Sequence, residues 1–130
     1  MKAVKFPLAG RECHLCFTVG AMFQLQDLYG GTGELLELLQ TNSPDSFSAA
    51  CKAAEILAEQ GELARRSLGY EPEPLVSAEA IAATTSPSDL AALKLVIPAA
   101  VSLGYGREVD PENDEVDLSL AELNEQKKTR

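Results

Sequence analysis

Residues 11–25, "RECHLCFTVGAMFQL", hold the one stretch of this chain whose residue types could do chemistry: Cys13-His14-Leu15-Cys16. Two cysteines three apart around a histidine can hold a tetrahedral metal or cycle as a redox dithiol. A zinc site needs further ligands, and after His14 the remaining good candidate is Cys51. In a β-strand, residues three apart point to opposite faces, so Cys13 would face the core and Cys16 would face away. The favoured reading is therefore two ordinary hairpin thiols. A reactive, exposed Cys16 is one alternative, and a small redox or metal protein is the other. His14 is the single imidazole and is read as a surface residue, so no Ser/His/Asp arrangement can be assembled. The Gly30-Gly31-Thr32-Gly33 run lacks the Lys-Ser/Thr ending of a phosphate loop. No catalytic residue, metal ligand or cofactor is assigned, and an enzyme is not expected.

The elements that would position these residues begin with a hairpin over about 2–17. A two-residue turn at Gly10-Arg11 pairs Leu8 with Cys13, Phe6 with Leu15 and Val4 with Phe17, which places six apolar side chains on one face. The other face would carry Lys5, Pro7, His14 and Cys16, and Pro7 suits an edge strand. After Phe17 the apolar period lengthens to about 3.6. Helices are predicted over about 19–29, 33–40, 45–68, 77–84 and 87–104.

Thr18, Thr32, Ser77 and Ser86 are the expected caps, and Pro87 sits at a first helical position. The third helix shows a face of alanines, Gly61 ends or bends it, and Gly69 closes it. Arg65-Arg66 reads as a solvated pair, with a grip on an acidic partner as the alternative. "YEPEPLV" is an extended linker. The last helix, the most apolar, is expected at the centre of the core, kinked at Pro98. The fold class is mainly α with an N-terminal β-hairpin (α+β), one globular domain over 1–106.

The chain has 130 residues and a formal net charge of −9, which argues against a nucleic-acid partner. No apolar run approaches the roughly 18–20 residues of a membrane span. "MKAVKFPLAG" lacks a signal peptide's apolar region, so a cytoplasmic location is expected. Residues 107–125 hold eight carboxylates against Arg107 alone, so 107–130 is read as an acidic tail, flexible or marginally helical.

Five strings, in order, are similar to the tail assembly chaperones of long-tailed bacteriophages and prophages. They are "PLAGRECHLCFTVGAM", "LQDLYGG", "LAEQGELARRSLGYEPEP", "VSAEAIAATTSPSDLAALK" and "GYGREVD" followed by an acidic, leucine-bearing end. The resemblance implies a non-enzymatic role in virion morphogenesis. The chain would bind and solubilise the tape measure protein and help recruit tail tube subunits. It would act in the bacterial host cytoplasm and be absent from the mature virion. Self-association is compatible with the alanine-rich face. The resemblance transfers no functional residue; on physical grounds Met22, Leu25 and Tyr29 of the first helix and Leu118, Leu120 and Leu123 of the tail are the expected client contacts. A phage structural protein, such as a head-tail connector or tail terminator, is the alternative function.

Overall fold

The computed structural model describes residues 1–107 and 114–118. Along the chain these form β1 (Lys2–Leu8), β2 (Arg11–Leu15), α1 (Val19–Tyr29), α2 (Thr32–Leu39), α3 (Pro44–Ser67), α4 (Ala78–Thr84), α5 (Pro87–Gly104) and β3 (Glu115–Asp117). The fold is mostly helical with an N-terminal hairpin, as the sequence predicts. Leu120 and Leu123 lie outside the described residues.

The hairpin forms with a different register. Its turn is Ala9-Gly10, where φ is 50° and 79°, and Val4 pairs with Leu15, Phe6 with Cys13 and Leu8 with Arg11. Two positive φ values match the right-handed twist of the strands better than the expected Gly10-Arg11 turn, although Ala9 pays about 1 kcal/mol for its conformation. The pairing slips by two residues, so each side chain keeps its face. Phe17 is thereby released from the ladder and packs beneath the end of α5, its ring 5.3 Å from that of Tyr105.

β1 is not an edge strand over its whole length. β3 pairs antiparallel with it, Ala3 opposite Val116, giving the sheet order β2-β1-β3. The Lys5 N–H donates to the Asp114 carbonyl on that side. Pro7, two residues on, lies past the last β3 pairing, so its missing N–H breaks no ladder bond. The reading of 107–130 as a tail outside the body is thus corrected at 114–118. The reason is a period: Val116 and Leu118 alternate with charged residues, which suits a strand. The charges also find partners, Lys2 with Glu115 at 3.1 Å and Lys5 with Asp114 at 3.8 Å.

Central position belongs to α3 rather than α5. It packs against β2, α1, α2, α4 and α5, and alanines at 49, 50, 53, 54 and 58 let all of them approach. α3 runs through Gly61 without ending there. At that point the helix backbone meets β2: a Cβ on Gly61 would lie 1.7 Å from the His14 carbonyl oxygen. The Cys16 N–H donates to the Leu57 carbonyl at 3.1 Å, so the open edge of β2 is closed by a helix. α5 buries Leu93, Val96, Ile97 and Val101 against α3 and β1, with Pro98 inside it. Its 18 residues, of mean hydropathy 1.3, match a membrane span by length and composition alone.

Caps follow the sequence at most ends. Thr18, Ser43, Ser77 and Ser86 each accept a backbone N–H three residues on, and Ser86 with Asp89 forms a reciprocal capping box. α2 differs: its cap is Gly31 with no side-chain bond, and Thr32 is already helical. Gly69, at φ 95°, follows the last turn of α3.

On the far face of the sheet a second cluster joins Ala3, Cys16 and Leu118, with Ala64, Leu68 and Val116 around them. Leu118 is 1% exposed, and its carbonyl accepts from the Tyr70 hydroxyl at 2.8 Å. Leu118→Ala is therefore expected to cost about 2 kcal/mol and lower the melting temperature by roughly 5–10 °C. A calorimetric scan unchanged by the substitution would remove Leu118 from the core.

Candidate interaction surface

The residues with chemical potential are separated by the strand that carries them. The Cys13 thiol sits half-buried on the main-core side and donates to the Arg11 carbonyl at 3.7 Å. Cys16 points to the opposite face, where its thiol donates to the Lys2 carbonyl at 3.5 Å. The expectation that Cys16 would face away holds, but that face is covered, so the exposed, reactive Cys16 is corrected: it is 1% exposed. Burial pushes its thiol up to about 11. Cys51 is buried on α3, and burial raises its pKa as well. Among the described residues no three His, Cys, Asp or Glu side chains come together as a metal site. A disulfide reagent applied to the native protein at mildly alkaline pH should label Cys13 first and leave Cys16 unmodified until denaturant is added. Prompt labelling of Cys16 would show that the second cluster opens.

His14 is half-buried rather than a free surface residue. Burial first, and the Arg65 guanidinium second, hold its pKa below the ordinary 6.5, while Glu12 and Glu73 pull the other way. The cavity beside it, lined by Cys13, His14, Glu62, Arg65 and Pro74, encloses about 20 Å³, room for one water molecule. A broader depression of about 340 Å³ lies between His14, Arg65, Tyr70 and Leu118.

Arg65 is buried and Arg66 exposed, so they are not a solvated pair; both are engaged within the chain. Glu62 accepts from Arg65 Nη1 at 2.7 Å, from Arg66 Nε at 2.8 Å and from the Glu73 N–H at 2.7 Å. The arginines reach on to the linker: Arg65 to the Glu71 carbonyl, Arg66 to the Glu73 carbonyl, with the Arg65 guanidinium 4.9 Å over the Tyr70 ring. Arg11 Nη1 donates to the Pro74 carbonyl at 2.8 Å. This cluster straps the extended 70–76 segment to the body. One signal was present in sequence, since Glu62 stands three and four residues before the arginines on one helix.

The six expected client contacts fare differently. Leu25 is fully buried, and Met22 and Tyr29 are partly buried against the core. Leu118 is core in the second cluster. Met22, Leu25 and Tyr29 lie on the periodic apolar stripe of α1, and a periodic stripe is what a helix turns inward. The exposed apolar side chains of α1 are Val19 at 65% and Phe23 at 56%, both off the stripe, and Leu28 at 51%, at the stripe's margin.

Charge around them is one-sided. Between Glu12 and Ala64 the only lysine or arginine is Lys52, and it is ion-paired with Glu55. Lys2, Lys5, Arg65 and Arg66 are likewise occupied by carboxylates. Asp27 on α1 and Glu34 and Glu37 on α2 have no ion-pair partner among the described residues. The helical side of the molecule therefore combines solvent-facing apolar groups with a surplus of carboxylates, although Lys94 of α5 brings one cation to the end of α2, where it donates to the Thr41 carbonyl at 3.0 Å. No family model, curated protein or solved structure matches the chain.

Proposed function

We propose that this chain is a non-catalytic assembly chaperone of a phage or prophage tail, binding the tape measure protein and helping to recruit tail tube subunits in the bacterial cytoplasm. The resemblance of five ordered strings to that family suggests the role. The observation that carries it is on α1: large apolar side chains, Val19 and Phe23, stay in solvent on the same face as Asp27, which has no ion-pair partner among the described residues. Apolar exposure of this kind suits a surface made to be covered, and surplus acid keeps a complex with an apolar client soluble.

Expression of the tape measure protein with and without this chain tests the reading. The expected result is a client found in the soluble fraction only when this chain is present. Equal solubility in both cases would overturn it. A ring-forming protein retained in purified particles would instead be a connector or tail terminator.

A further inference from the structure

We propose that the outer face of α1, together with α2, docks a basic amphipathic helix; this names the partner chemistry of the chaperone reading and rests on it. Val19, Phe23 and Asp27 recur at four-residue intervals, so they share the face of α1 opposite buried Ala21 and Leu25. α2 packs beside α1 and turns Leu35 and Leu39 inward, leaving Glu34 and Glu37 exposed. From α3, the third element packed against α1, come Lys52, Glu55 and Glu59; Lys52 is bound by Glu55 and also feels Glu59. Lys94 of α5 donates to the Thr41 carbonyl at the far end of α2. Phe23 and Val19 thus share their helix face with Asp27, and the adjacent α2 adds Glu34 and Glu37, an excess of negative charge over positive.

That combination selects its occupant. An apolar stripe on a partner helix would cover Phe23 and Val19, while lysines or arginines flanking the stripe would meet Asp27, Glu34 and Glu37. A second copy of this chain would bring the same carboxylates against themselves, and like charges across an interface oppose association. An anionic lipid surface or a nucleic acid is repelled for the same reason. The basic helix alone gains from both the apolar and the charged component.

The test uses the full chain and two synthetic helical peptides with the same leucine stripe, one flanked by lysines and the other by glutamates. Fluorescence anisotropy should show binding of the lysine peptide only, weakening as salt is raised. Phe23→Ser should weaken it about tenfold or more, the loss expected for one uncovered aromatic anchor. Asp27→Lys combined with Glu34→Lys should weaken binding and flatten its salt dependence. Leu75→Ser, at an exposed site on the linker, should change nothing. All substituted positions are solvent-facing, so circular dichroism and melting should match wild type.

Equal binding of the two peptides, or wild-type affinity in Phe23→Ser, would overturn the assignment. So would a dimer by light scattering that Phe23→Ser abolishes, which would give the face to a second copy. The two levels separate in co-expression. A Phe23→Ser chain that still solubilises the tape measure protein keeps the chaperone reading and removes this face as its client site. A wild-type chain that binds the lysine peptide but leaves the tape measure protein insoluble does the reverse.

Discussion

Gly61→Ala is expected to cost about 3 kcal/mol or more, enough to leave much of the protein unfolded at moderate temperature. One methyl group has this effect because of where it would go: 1.7 Å from the backbone oxygen of His14 and 2.7 Å from its carbonyl carbon. Neither atom can step aside as a side chain would. β2 is tied to α3 by the Cys16 N–H and to β1 along its ladder, so relief requires moving the helix off the sheet. The intrinsic helix preference for alanine, about 1 kcal/mol, acts in the opposite direction and loses. Gly33→Ala supplies the control. Gly33 also lies in a helix, with nothing within 4 Å of the added carbon, so that variant should be neutral or slightly more stable. Denaturant titration of the pair checks both; equal midpoints would mean that α3 and β2 are not in backbone contact.

Glu62→Ala is the second large effect, expected at about 2–3 kcal/mol. Glu62 is 8% exposed and Arg65 is 9% exposed, so removing the carboxylate leaves a nearly buried guanidinium with only the more exposed Glu73 carboxylate, at 3.5 Å, as its counter-charge. It also strips the acceptor from the Glu73 N–H and frees the strap over residues 70–76. Arg65→Met in the same chain should recover part of the loss, because the stranded charge goes with it. The same cluster sets an acid limit. Burial alone would raise the Glu62 pKa, but the Glu73 N–H and then Arg66 and Arg65 outweigh it and hold the carboxyl below its ordinary 4.5. A depressed folded-state pKa gives stability that is fully present above 4.5 and is lost as pH falls through the lower, folded value. Wild type should therefore lose stability on acidification below that point more steeply than a Glu62→Gln variant.

How much of this was legible in the sequence depended on the range of the interaction. The five helices and the hairpin were readable because their signals are local: Ser86-Pro87 with Asp89 builds its own cap, and Gly69 ends α3 by its own backbone freedom. The hairpin register was missed by two residues, since both registers give the same faces and only the twist of the turn and the burial of Phe17 under α5 decide between them. Gly61 looked like a helix breaker because its reason, the His14 carbonyl, lies 47 residues away in the chain. β3 was hidden for a similar reason: a three-residue strand has no signal apart from its partner, and its dense acid resembled a solvated tail until Lys2 and Lys5 were placed opposite. Within α1 the expected contacts Met22, Leu25 and Tyr29 fall on the apolar stripe, which packs wholly or partly against the core. The stripe marks the core, and Phe23 and Val19, the apolar residues out of phase with it, stay in solvent.

The measurement that tests the central claim most directly is size-exclusion chromatography with light scattering on this chain alone and after co-expression with the tape measure protein. A soluble complex carrying many copies of this chain per client, absent when the client is omitted, is the result expected of a chaperone. A closed ring formed by this chain alone, of unchanged mass when the client is present, would contradict the account.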